Sequence, residues 1–134
     1  MEWTLEVILV PVSDLDRAKE FYSERLGFAV DLDTELGDET RLVQLTPPGS
    51  GCSIHLQTGS QGMTPGSQRG LILVVPDIEA AHAELVGRGA EVSNVGHYEG
   101  MEFKDGKGGT WNSFIRFSDP DGNEWSIQES PPDR

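Results

Sequence analysis

A chain of 134 residues has room for one domain with one buried core. Its 36% hydrophobic and 25% charged residues match an ordinary soluble globular protein, and no apolar run approaches the roughly 18–20 residues that a bilayer requires. The formal net charge of −13 repels a phosphate backbone or an anionic lipid surface, which sets nucleic acid and membrane aside as partners.

The opening stretch, MEWTLEVILVPVSD, has no basic n-region and no small-residue cleavage site, so it does not read as a signal peptide. One cysteine, Cys52, leaves no intrachain disulfide and fits a reducing compartment. A cytoplasmic protein is expected. The first predicted strand covers residues 5–12. Ser13 then reads as a helix N-cap with Asp16 three residues on, and Leu15, Ala18 and Tyr22 fall at helical spacing. Gly27 supplies the stop. Three strands are predicted next, at 28–36, 40–46 and 52–57.

The polar, glycine-rich QTGSQGMTPGSQR reads as a flexible connection. Beyond it the same order returns: a strand at 70–75, a helix capped by Asp77 with Ile78, Ala81 and Leu85 on its inner stripe, and strands at 90–97, 110–118 and 124–129. The two halves also match residue by residue. Asp14 and Asp77 stand 63 positions apart, as do Leu15 and Ile78, Ala18 and Ala81, Tyr22 and Leu85. Later in each half the offset is 73, pairing Pro47 with Pro120, Ser53 with Ser126, Ile54 with Ile127 and His55 with Gln128. The chain is thus a β-α-β-β-β unit used twice. Module one covers about 1–59, the linker 60–69 and module two about 70–130, within a single domain. The longer offset reflects an insertion, HYEGMEFKDGKGGT, in the second half.

Near the end stands FSDPDGNEWSIQES. Asp119, Asp121 and Asn123 alternate as calcium ligands would, but Pro120 follows the first Asp, Gly122 comes too early, and position twelve is Ser130 rather than Glu. A tight turn between two strands is the simpler reading.

The repeated unit, with VPVSDLDRAKEFYSERLGF and FSDPDGNEW, resembles the vicinal-oxygen-chelate superfamily, which includes glyoxalase I, extradiol dioxygenases and the fosfomycin- and bleomycin-resistance proteins. The resemblance covers about residues 5–130. It implies an α+β fold in which two tandem βαβββ modules form an open eight-stranded cup with helices outside, and it implies a homodimer. Metal-dependent relatives carry a His seven residues before the capping Asp and a Glu four after the Gly of the DPDGN turn. Carried onto this chain, those positions and their repeat partners are Val7, Ser53, Gly70 and Ser126. An isopropyl group, a hydrogen and two neutral hydroxyls are a poor cage for Zn²⁺, Fe²⁺, Ni²⁺ or Mn²⁺. No metal site and no cofactor are expected; the other His-containing set, His55, His97 and Glu102, partly falls in the insertion.

Alternation along a strand puts Gln128 on the same face as Ser126, and His55 on the same face as Ser53. If that face lines the cup, Ser53, His55, Ser126 and Gln128 are ligand-binding candidates, and His55 is either an acid/base or a hydrogen-bonded wall residue. Cys52 is expected to face the other way, as inert core. The insertion adds His97, a second acid/base candidate, with Tyr98, Met101, Phe103 and Trp111, which suit either a flap over an apolar ligand or a dimer contact. Arg116, Asn112 and Phe114 share a face of the seventh predicted strand, and Arg116 is an anion anchor if that face points inward. Two functions follow. One is a metal-independent binding protein for a small organic molecule, cationic or aromatic. The other is an enzyme of the superfamily, a lyase, isomerase or dioxygenase, using His55 or His97 as acid/base or an unusual metal site.

Overall fold

A computed structural model describes residues 1–37, 40–58 and 62–134. Residues 60 and 61 of the expected linker, and residue 59 at the end of module one, lie outside the described residues. The chain divides into two compact units, Met1–Gln68 with Asp119–Asn123, and Arg69–Ser118 with Glu124–Arg134.

The first unit holds β1 (Val7–Pro11), α1 (Leu15–Glu20), which runs on into a π-helical turn (Phe21–Arg25), then β2 (Ala29–Gly37), β3 (Thr40–Thr46) and β4 (Ser53–Gln57). The sheet order is β1-β4-β3-β2, with β1 parallel to β4 and the rest antiparallel. One face of this sheet buries Val10, Val43, Leu45, Ile54 and Leu56 with Ala18 and Tyr22. Asp14, not Ser13, caps α1: its carboxylate accepts from the Arg17 N–H at 3.0 Å. Ser13 is one residue too early because its own N–H and hydroxyl are both taken by Asp121, at 3.1 and 2.6 Å. Two residues of the expected linker are tied to β1, Gly66 donating to the Pro11 carbonyl and the Gln68 side chain to that of Leu9.

The DPDGN segment packs within this first unit as a turn. Asp119 and Asn123 are buried. One Asp119 oxygen accepts the N–H groups of Asp121 and Asn123, and the other accepts the Tyr22 hydroxyl at 2.7 Å. Asn123 donates to the Pro11 carbonyl at 2.8 Å and accepts from the Gln68 N–H at 2.9 Å. Those oxygens face N–H and O–H donors, the opposite of a calcium loop.

The second unit holds β5 (Leu71–Val75), α2 (Ile78–Gly87), β6 (Gly96–Glu99), β7 (Glu102–Asp105), β8 (Phe114–Ser118) and β9 (Glu124–Glu129). The sheet order is β5-β9-β8-β6-β7, with β5 parallel to β9 and the rest antiparallel. Asp77 caps α2, accepting from the Ala80 N–H at 3.1 Å. Leu71, Ile115, Phe117, Trp125 and Ile127 are buried on the side of Ile78 and Leu85.

This unit departs from the expected three strands after the helix. Residues 90–95 form no strand. Ser93 donates its N–H to the Arg116 carbonyl, but its hydroxyl, not its carbonyl, accepts the Arg116 N–H, so a side chain replaces the ladder. The strand begins at Gly96 instead, and the insertion folds back as β7. The sheet therefore has five strands and the chain nine among the described residues, not eight. Residues 110–113, expected in strand, are loop, with Trp111 at φ 62°. Cys52 is half-buried just before β4 rather than core.

Candidate functional site

The site is best built from β8, the central strand of the second sheet. Side chains alternate, so Ile115 and Phe117 go to the core while Phe114 and Arg116 take the opposite face. Register brings Ser126 and Gln128 of β9 beside Arg116 and Phe114, and Ile72 and Val74 of β5 beside them in turn. Ile72, on the edge strand β5, is 56% exposed and extends the apolar part of this face.

The β6–β7 hairpin completes this face. Tyr98 pairs with Phe103 across the hairpin, their ring centroids 5.1 Å apart, and Tyr98 meets Phe114 edge-on at 5.3 Å. The Arg116 guanidinium lies 4.0 Å from the centre of the Phe103 ring. Gly96 makes this possible: a Cβ there would stand 2.4 Å from the Phe103 ring. The Arg116 guanidinium makes no hydrogen bond or ion pair among the described residues. It is held by stacking, with its fork of N–H donors open to a ligand oxygen. Beside it lies a cavity of about 530 Å³, bordered by Tyr98, Arg116, Ser93, Ser126 and the Arg69–Glu124 pair, whose groups are 3.4 Å apart. The wall is aromatic and locally cationic, although the whole chain is acidic.

Gln128 is on the same face, but its amide donates to the Trp111 carbonyl at 2.8 Å. Met101 is almost fully exposed at the hairpin tip. Trp111 borders a different cavity, with Lys107 and Glu129. His97 points away from the Tyr98 face. Its Nδ1 bonds the Gly106 carbonyl at 2.8 Å and its Nε2 the Glu99 carboxylate at 2.7 Å. Both partners accept, so both nitrogens donate, and the Glu99 and Gly106 bonds raise the imidazole above its ordinary pKa. A ring so engaged fastens the hairpin and has no lone pair for a general base.

His55 and Ser53 sit in the first unit, in a polar chain on the face of the sheet opposite α1. Gln44 accepts from His55 Nε2 at 2.7 Å, and the Gln44 amide donates to Asp31 at 3.3 Å. Asp31 also accepts from the Thr46 hydroxyl, which in turn lies 2.6 Å from that of Ser53. Since Gln44 presents its carbonyl, the proton of neutral His55 is on Nε2, and Nδ1 carries a lone pair without a partner among the described residues.

The metal positions do not fit an ion. Val7 and Ser53 are register partners. In the second unit, however, the partner of Ser126 is Ile72, and Gly70 precedes the strand at φ 77°. The strand-to-helix loop is shorter there, so counting back from Asp77 overshoots. Ile72 is no better a ligand than Gly70. Among the described residues no three His, Cys, Asp or Glu side chains converge as a cage, so His55, His97 and Glu102 do not form one either.

Sequence reasoning missed the roles of Ser93, Arg69, Glu124 and Gly96. Phe114 was readable from its two-residue spacing from Arg116; these four had no such signal.

Comparison with known proteins settles the family. The family model described as Glyoxalase/Bleomycin resistance protein/Dioxygenase superfamily matches residues 4–127. The chain belongs to that superfamily. Among solved members, TnmS3, an antibiotic binding protein from Streptomyces sp. CB03234, is 35% identical, with 96% of this chain and 97% of that one covered and a TM-score of 0.76. A glyoxalase/bleomycin resistance protein from the same source is 36% identical, with 93% and 99% covered and a TM-score of 0.73. The uncharacterized protein YetH of Bacillus subtilis is 26% identical, over 91% of this chain and 94% of its own. Among the described residues no helix is long and apolar enough to cross a membrane.

Proposed function

We propose that this superfamily member holds a small organic molecule, without a metal, against the face formed by Tyr98, Phe103, Phe114, Arg116 and Ser126. The observation that carries this reading is the Arg116 guanidinium, stacked on Phe103 beside a cavity and without a polar partner among the described residues. A planar aromatic ligand bearing carbonyl, phenol or carboxylate oxygens matches that surface: its ring meets the aromatic shelf and its oxygens meet the guanidinium. The likeness to an antibiotic binding protein supports an antibiotic or a related metabolite as the ligand. The homodimer that the resemblance implies is retained in this proposal. The test is native mass spectrometry with a panel of planar aromatic antibiotics, followed by extraction. A one-to-one complex releasing unchanged ligand supports the reading; a chemically altered product replaces it with catalysis.

A second reading, an enzyme, is favoured by one observation. The Gln44 bond fixes the His55 tautomer and leaves Nδ1 as a proton acceptor. Under that reading His55→Ala abolishes turnover while ligand binding and fold persist.

A further inference from the structure

The second unit carries another cavity, about 560 Å³, at the N-terminal end of α2. Its wall includes Asp77, Glu79 and Glu129, the ammonium of Lys107, and the indole of Trp111. Pro131 and Pro132 of the C-terminal tail border it too. Two cations of the chain already serve this acidic, aromatic surface. Lys107 reaches Glu129 at 3.1 Å, and the Arg134 guanidinium stands 5.4 Å from the centre of the Trp111 ring. Lys107 is pushed above its ordinary pKa, first by the Glu129 bond and then by the charges of Glu129, Glu79 and Asp77.

We propose that this cavity is a second binding site, specific for an aryl or alkyl organic cation, in which Trp111 and the acidic wall receive the cation and Arg134 acts as a tethered competitor. Three features support this. Trp111 is a bulky residue held at φ 62° by the bonds around it: Gln128 donates to its carbonyl, and the next residue, Asn112, donates to Gly109. A conformation uncommon for such a side chain keeps the indole on the cavity wall and 39% exposed. Second, a ring face with carboxylates around it attracts a cation that gives up little hydration, as a guanidinium, amidinium or quaternary ammonium does. Third, the Arg134 contact is long for a stacked pair, so a free cation can displace it. This site is separate from the Arg116 face and opposite to it in charge preference, so failure of either leaves the other standing.

The experiment is a titration of the full chain with benzamidinium, followed by the Trp111 indole N–H resonance, which is identified by its loss in Trp111→Leu. The expected result is a saturable shift at Trp111, tightened about two- to five-fold by Arg134→Gln, since a solvent-exposed cation–π competitor is removed. Glu79→Gln weakens it. Trp111→Gly, which suits the positive φ, keeps the fold and loses the binding. A non-saturating shift, affinity unchanged by Arg134→Gln, or binding retained in a folded Trp111→Gly protein overturns the proposal.

Discussion

At the scale of single residues, the molecule turns on a few side chains whose partners lie far away in sequence. Asn123 is fully buried and joins the Pro11 carbonyl, the Asp119 carboxylate and the Gln68 N–H. Truncation strands a buried donor and a buried acceptor together, so Asn123→Ala is expected to lower unfolding free energy by about 2–4 kcal/mol, read from urea denaturation. An effect within error would mean that the turn is an ordinary solvated loop. The turn itself was legible in DPDGN, because Pro, Asp, Gly and Asn have local reasons to be there. Its partners were not, since nothing local tells which backbone carbonyl an amide will reach. Ser13 shows the same limit: it is a sound cap by type, but Asp121 claims it.

At the scale of elements, strands with plain alternation were readable. Residues 40–46 and 124–129 form strands over the expected spans. So was the α2 cap at Asp77. What failed was the segment at 90–95, where one serine hydroxyl substitutes for a backbone acceptor. The hairpin after it is the element that makes the site, and two predictions belong to it. Gly96→Ala places a methyl group where the Phe103 ring lies, and its backbone cannot yield easily with the Lys104 carbonyl 2.8 Å from the same point. The ring must tilt off Arg116, so ligand affinity falls several-fold, about 1 kcal/mol for one lost cation–π contact, and the clash with the backbone carbonyl lowers the thermal midpoint as well. A crystal structure of the variant with the ring unmoved would contradict this. The second concerns pH. His97 has a raised pKa in the folded hairpin, so the stabilisation it gives is complete below the unfolded-state value and is lost as pH rises through the folded one. NMR titration of the His97 ring should show that upward shift. It should shrink in Glu99→Gln, because the Glu99 bond is its largest cause, with the Gly106 bond left in place.

At the scale of the whole molecule, duplication explains both what the sequence tells and what it hides. Two matching halves made the repeated unit and the family visible, since helix caps and inner stripes recur at an offset of 63 and turn residues at one of 73. The same regularity misled the count to Gly70, because the two halves differ in the length of one strand-to-helix loop. The proposed ligand surface belongs to what the halves do not share. The inserted hairpin has no counterpart in the first half, and Phe114 stands at the register place of Gln44 with a different side chain, so the repeat gives the face but not its chemistry. Metal chemistry is absent from the account for a reason of side-chain type: the register positions carry Val7, Ser53, Ile72 and Ser126, none of them a competent donor to a transition ion.

The most direct test of the account is a calorimetric titration of chelator-treated protein with 2-naphthoate, a planar aromatic acid, in the native chain and in Arg116→Gln. The account predicts one saturable site per chain in the metal-free protein, with affinity reduced about ten-fold or more when the charge-assisted contact is removed. Binding that appears only after a divalent ion is added back, or that is indifferent to Arg116→Gln, would contradict it.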